Sequence, residues 1–95
     1  MRIDVGGRDD SDRVEFSFEL DWPTHVRLPV AGEDINFDLS GPEARFRVDS
    51  VEHWFDEEGF SVLVHTTLMS GGVLAEFRAR IDDARSIHNF QLNYI

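Results

Sequence analysis

The stretch ARFRVDSVEHWFDEEGFSVLVHTTL, residues 44–68, decides the fold. In its second half Phe60, Val62, Val64, Thr66 and Leu68 fall at one parity, and Ser61, Leu63, His65 and Thr67 at the other. A two-residue period rich in β-branched and aromatic side chains is the mark of a strand with one buried face. Asp56-Glu57-Glu58-Gly59 reads as a turn, so the two arms form one long β-hairpin. If Phe55 faces Phe60, His53 lies opposite Val62, and His65 lies opposite Ser50 on the other side of the sheet. If Gly59 is a bulge in a longer loop, His53 lies opposite Leu63 instead. The register decides whether His53 or Trp54 turns toward the core. On the first arm Phe46 and Val48 share a parity that Val51 breaks. That break predicts a β-bulge or a bend at Asp49-Ser50.

The same period recurs on both sides of the hairpin. Val14, Phe16, Phe18 and Leu20 alternate with Arg13, Glu15, Ser17 and Glu19, an apolar inside against a charged outside. Ile3-Asp4-Val5 reads as a short first strand ended by Gly6-Gly7. Val26, Leu28 and Val30 form another alternating set, and Pro29 marks it as an edge or a strand end. Ile35, Phe37 and Leu39 follow, closed by Ser40-Gly41-Pro42. After a turn at Met69-Ser70-Gly71-Gly72, Val73, Ala75, Phe77, Ala79 and Ile81 alternate again. Asp82-Asp83-Ala84-Arg85 is a turn or one helical turn, and Phe90, Leu92 and Tyr94 make the last strand. These readings give a single all-β domain over residues 1–95. It is a small antiparallel β-barrel or strongly bent sheet of about seven strands.

Composition bounds the function. Nineteen Asp and Glu stand against nine basic residues, for a net charge of −10. All nine are Arg, which fits either GC-rich codon usage or adaptation to high salt. This balance repels phosphate backbones and anionic lipid, so neither nucleic acid nor membrane is an expected partner. A basic protein partner is electrostatically easier. No Cys occurs, which removes disulfides, thiolate nucleophiles and Cys-ligated metal, and fits a cytoplasmic protein. MRIDVGGRDD has no apolar run and does not read as a signal peptide.

Candidate chemistry is sparse. His25, His53, His65 and His88 show no ligand spacing, so neither a metal nor a cofactor is expected. The acidic pairs Asp9-Asp10, Glu33-Asp34, Glu57-Glu58 and Asp82-Asp83 all sit in expected turns, where such residues serve solvation and turn hydrogen bonds. No serine lies in a nucleophile-elbow motif. The ligand-binding candidates are His53, Trp54, Trp22 and Phe55, with the aromatics read as lining the mouth of a barrel. Arg45/Arg47 and Arg78/Arg80 read as cross-strand partners of nearby Glu52, Glu76 and Glu19.

Val26 to Val64 resembles a broad set of small, mostly uncharacterised bacterial β-barrel proteins. Those share a strand L-P-x-x-G-x-x-I, then F-x-V-x-x-V-x-H, an acidic turn and a V-x-V strand. The matching residues are Leu28-Pro29, Gly32, Ile35, Phe46, Val48, Val51, His53, Asp56, Gly59, Val62 and Val64. The resemblance covers under half of the chain and implies an SH3-like barrel core without an activity. It leaves the Val14–Leu20 strand and the last two strands to widen the sheet or to serve a homodimer. The expected function is a non-enzymatic protein-interaction or accessory module. A small-molecule-binding barrel is the alternative, and an enzyme using His53 with a turn carboxylate is the third.

Overall fold

In the computed structural model, residues 1–38, 43–69 and 74–95 are described. The elements run β1 (Arg2–Asp9), β2 (Val14–Asp21), β3 (Asp34–Phe37), β4 (Ala44–Asp56), β5 (Gly59–Met69), α1 (Leu74–Arg80), a 3-10 turn (Ile81–Asp83) and β6 (Ile87–Tyr94). Six strands form one sheet in the order β3-β4-β5-β1-β2-β6. Among the described residues the sheet has six strands, is mixed and curls into a half-barrel: of the two forms expected above it is a bent sheet, not a closed barrel, and it is not wholly antiparallel. β1 runs parallel to β5, with Asp4 opposite Leu63 and Gly7 opposite Thr66; the other pairs are antiparallel.

The parallel seam depends on one residue. A Cβ at Gly7 would sit 1.8 Å from the Thr66 carbonyl oxygen, so only glycine lets the two backbones meet. The Thr66 hydroxyl reinforces the seam by donating to the Gly6 carbonyl at 3.2 Å. Gly6-Gly7 therefore continues β1 to Asp9 and does not end it. Buried Asp9 then orders the turn into β2, its Oδ1 accepting the N–H groups of Arg13 at 2.8 Å and Val14 at 3.1 Å.

The alternating apolar residues fill the concave face. Phe46 is fully buried, and its ring meets Phe16, Phe18, Phe37 and Phe77 at centroid distances of 5.1–5.6 Å. Phe18 on β2 lies 6.0 Å from Phe37 on edge strand β3, although three strands separate them in the sheet, which measures the curl. Phe77 of α1 fills the remaining gap, 5.6 Å from Phe37 and 5.7 Å from Phe90 of β6.

Two expected strands are not strands. The segment expected to alternate from Val73 to Ile81 is helical from Leu74 to Arg80, and Val73 itself lies outside the described residues. LAEFRAR consists mainly of strong helix formers, and the buried Phe77, Ile81 and Ala84 fit helical spacing. The second, Val26–Val30, is a loop. The Trp22 indole N–H donates to the Val26 and Arg27 carbonyls at 3.1 and 3.2 Å, drawing those carbonyls away from any ladder. Arg27 and Glu33 close the loop with two bonds of 2.9 and 2.6 Å. Leu39, the Ser40-Gly41-Pro42 turn and residues 70–72 of the other expected turn lie outside the described residues.

The hairpin matches its first register. Phe55 faces Phe60, His53 faces Val62, and Asp56 faces Gly59 across a two-residue loop. Gly59 has φ of +130°, which explains its choice there. The register slips by one between Val48 and Ser50, so Asp49 is the bulged residue. Its carboxylate accepts from the Thr67 hydroxyl at 2.6 Å and from Arg47 Nε at 3.0 Å. Those bonds, the Thr67 hydroxyl first, hold the Asp49 carboxyl below its ordinary value.

Candidate functional site

β4 and β5 outrun their neighbours. The ladder with β1 ends at Asp4 opposite Leu63, and β5 reaches four residues further, to Gly59. The inward parity therefore continues past the end of the core, and its side chains emerge into solvent. His53, Phe55 and Phe60 sit there together. The His53 and Phe60 rings stack at 5.7 Å with 19° between planes, and Phe55 and Phe60 lie 4.9 Å apart. Phe55 is 78% exposed and Phe60 46%. The three rings make a small aromatic platform at the end of a two-stranded ribbon.

Carboxylates rim this platform. Asp56 Oδ1 accepts the Glu58 N–H at 2.8 Å, an Asx-type turn that fixes the loop. Glu57 and Glu58 are exposed at the same turn. Between Arg47 and Arg78 the sequence holds no Arg or Lys, so no fixed positive charge comes from this stretch.

On the opposite, outward face stands Trp54, 56% exposed, its indole N–H donating to Glu52 Oε2 at 3.0 Å. Glu52 Oε1 also meets His65 Nε2 at 2.9 Å, so one carboxylate joins Trp54 to His65 across the hairpin. A groove of about 350 Å³ runs from Trp54 over the outer face of β5, β1 and β2. Further along the same outward face His88 Nε2 lies 2.8 Å from Asp21 Oδ2, and Arg2 Nε bonds the second oxygen of the same carboxylate at 3.3 Å. His88 first, then Arg2, holds the Asp21 carboxyl below its ordinary value against the opposing effect of burial.

The four ligand candidates do not converge on a barrel mouth. His53 and Phe55 come together at the tip, Trp54 points to the other face, and half-buried Trp22 is anchored in its own loop beside a separate groove with Val26 and Ile35. His53 faces the core side, as its register requires, but is exposed because the core ends before it. It has no carboxylate bonded to it among the described residues; the histidines that do are His65 and His88. Phe60 was not among the candidates, although its pairing with Phe55 was one of the two registers the hairpin allowed. Among the described residues no group of three or more His, Cys, Asp or Glu is arranged to hold a metal ion. No helix among them is long and apolar enough to cross a membrane. Comparison of the chain with protein-family models, with curated proteins and with solved structures found no match.

Proposed function

We propose that the chain is a non-enzymatic binding module that docks a basic protein partner through the tip of the β4–β5 hairpin. The observation that carries this reading is the exposed stack of His53, Phe55 and Phe60 beyond the end of the sheet. Contiguous exposed aromatics add little to folding and much to association, where flat rings bury large area at small entropic cost. The acidic rim and the net charge of −10 favour a basic partner and oppose a second copy of the same chain. The resemblance of Val26–Val64 to small bacterial β-barrels belongs with this proposal and adds an SH3-like ancestry to it.

The test is differential capture from the source organism, with the wild type and a Phe55→Ser/Phe60→Ser variant as baits and mass spectrometry as readout. A basic protein enriched by the wild type and lost by the variant supports docking at the tip. The same proteins on both baits would sink it. Sedimentation at two concentrations tests the homodimer: a constant monomer mass fits the proposal, and a dimer lost in the variant would reassign the tip to self-association.

A second reading, a small-molecule binder, draws on the groove beside Trp54. That groove is open to solvent and crosses the sheet, so a small ligand would remain largely hydrated in it. A protruding side chain of a larger partner suits it better.

A further inference from the structure

The outer-face groove is lined by Asp4, Gly6, Ser17, Trp54, Leu63 and Asn89, among others. Its floor is low because Gly6 has no side chain; a Cβ there would meet only the Phe16 carbonyl oxygen, at 3.7 Å. At one end the Trp54 ring is held by its bond to Glu52 while more than half of the residue stays exposed. Register places Asp4 between Leu63 on β5 and Glu19 on β2.

The carboxylates of this face differ in what they already hold. Glu52 bonds Trp54 and His65. Glu19 bonds the Asn89 amide and lies 3.7 Å from Arg2. Asp4 has no hydrogen-bond or ion-pair partner for its carboxylate among the described residues. A single uncommitted carboxylate thus shares a groove with a fixed, exposed indole, and the apolar side chain of Leu63 lines the same groove.

We propose that this groove receives one arginine side chain of the basic partner. The guanidinium bonds the Asp4 carboxylate, its plane stacks on Trp54, and its aliphatic stem lies along Leu63. Guanidinium is the cation that both forks onto a carboxylate and stacks on an aromatic face, and it is more weakly hydrated than an ammonium. A neutral ligand would leave Asp4 desolvated without a partner, and an anion would be repelled by Asp4, Glu19 and Glu52. The inference rests on the proposal of a basic partner but uses residues other than those of the tip.

The test titrates isotope-labelled full chain with a blocked Gly-Arg-Gly peptide at about 0.15 M salt, where long-range attraction is screened. The controls are the isosteric neutral citrulline peptide and the lysine peptide. Expected are saturable shifts at Gly6, Leu63 and the Trp54 indole N–H, weaker binding of lysine and none of citrulline. Asp4→Asn should weaken the arginine peptide about tenfold, Trp54→Ala should abolish the response, and Phe55→Ser should leave it unchanged. Equal response to citrulline or lysine, or unchanged affinity in Asp4→Asn, overturns the inference. Loss in Phe55→Ser with retention in Asp4→Asn also overturns it, while leaving docking at the tip intact.

Discussion

The indole N–H of Trp54 donates to the Glu52 carboxylate at 3.0 Å, two residues back along the same strand. This bond makes an exposed tryptophan a positioned one. Glu52→Ala is expected to release the ring and move its indole N–H resonance toward that of a free indole. Glu52→Gln should hold it in place through the amide oxygen. Urea unfolding of Glu52→Ala should show a loss of no more than about 1 kcal/mol, because both partners are solvated. A larger loss would mean that the hairpin tip supports the core.

The adjacent glycines of β1 should respond very unequally to the same substitution. Gly7→Ala places a methyl group 1.8 Å from the Thr66 carbonyl oxygen, and the backbones must separate. Its expected cost is above about 4 kcal/mol, in the range reserved for backbone strain and overpacking. Gly6→Ala meets ordinary van der Waals distance and should stay within about 1 kcal/mol of the wild type. Equilibrium denaturation of the two variants decides it.

Phe77 and Phe55 separate stability from association. Phe77→Ala removes the ring that bridges Phe37 and Phe90 and should cost about 3–5 kcal/mol. Phe55→Ser removes a ring that is 78% exposed and should change stability by under about 0.5 kcal/mol. Thermal melts of both variants check this contrast.

Acid should destabilise the fold through particular carboxylates. Asp21 is held low by His88 and Arg2, Asp49 by Thr67 and Arg47, and Glu33 by Arg27 and the Val30 N–H. A carboxyl depressed in the folded state contributes fully above its unfolded pKa. That contribution is lost as pH falls through the folded value. Stability should therefore be level near neutrality on account of these groups and decline below roughly pH 4. Asp49→Asn should flatten part of the decline in urea midpoints measured from pH 5 downward. An unchanged slope would show that Asp49 titrates as it does in the unfolded chain.

The hairpin was the most legible part of the sequence because its constraints are local. A short acidic turn closed by Gly59 limits the pairing to two registers, of which the structure takes the one with Phe55 opposite Phe60. The parity break before Val51 marks Asp49-Ser50, where Asp49 is the bulged residue. The helix was legible only in composition, since Phe77 and Ile81 satisfy both a period of two and a spacing of four. The parallel pairing of β1 with β5 was not legible, because nothing near Gly7 in sequence names Thr66 as its neighbour. The same limit governs the candidate site. Sequence left open whether His53 or Trp54 turns inward; the register turns His53 inward, but its burial depended on how far β1 extends alongside β5, a tertiary quantity. Trp22, Trp54 and Phe55 were grouped as aromatics, while the topology sends them to three different places.

The seam between Gly7 and Thr66 also bears on how the molecule folds. β1–β2 and β4–β5 are each local hairpins able to form early. The Thr66-to-Gly6 hydrogen bond joins residues 60 positions apart. β1 is internal to the sheet, yet one of its sides waits for β5, four strands later in the chain, to arrive. Closure of that long loop, at a point that tolerates no side chain, is the expected slow step. Two ribbons built from local contacts would meet late along a single line, at the roughly millisecond-to-second pace of non-local β pairing, which stopped-flow refolding reads directly.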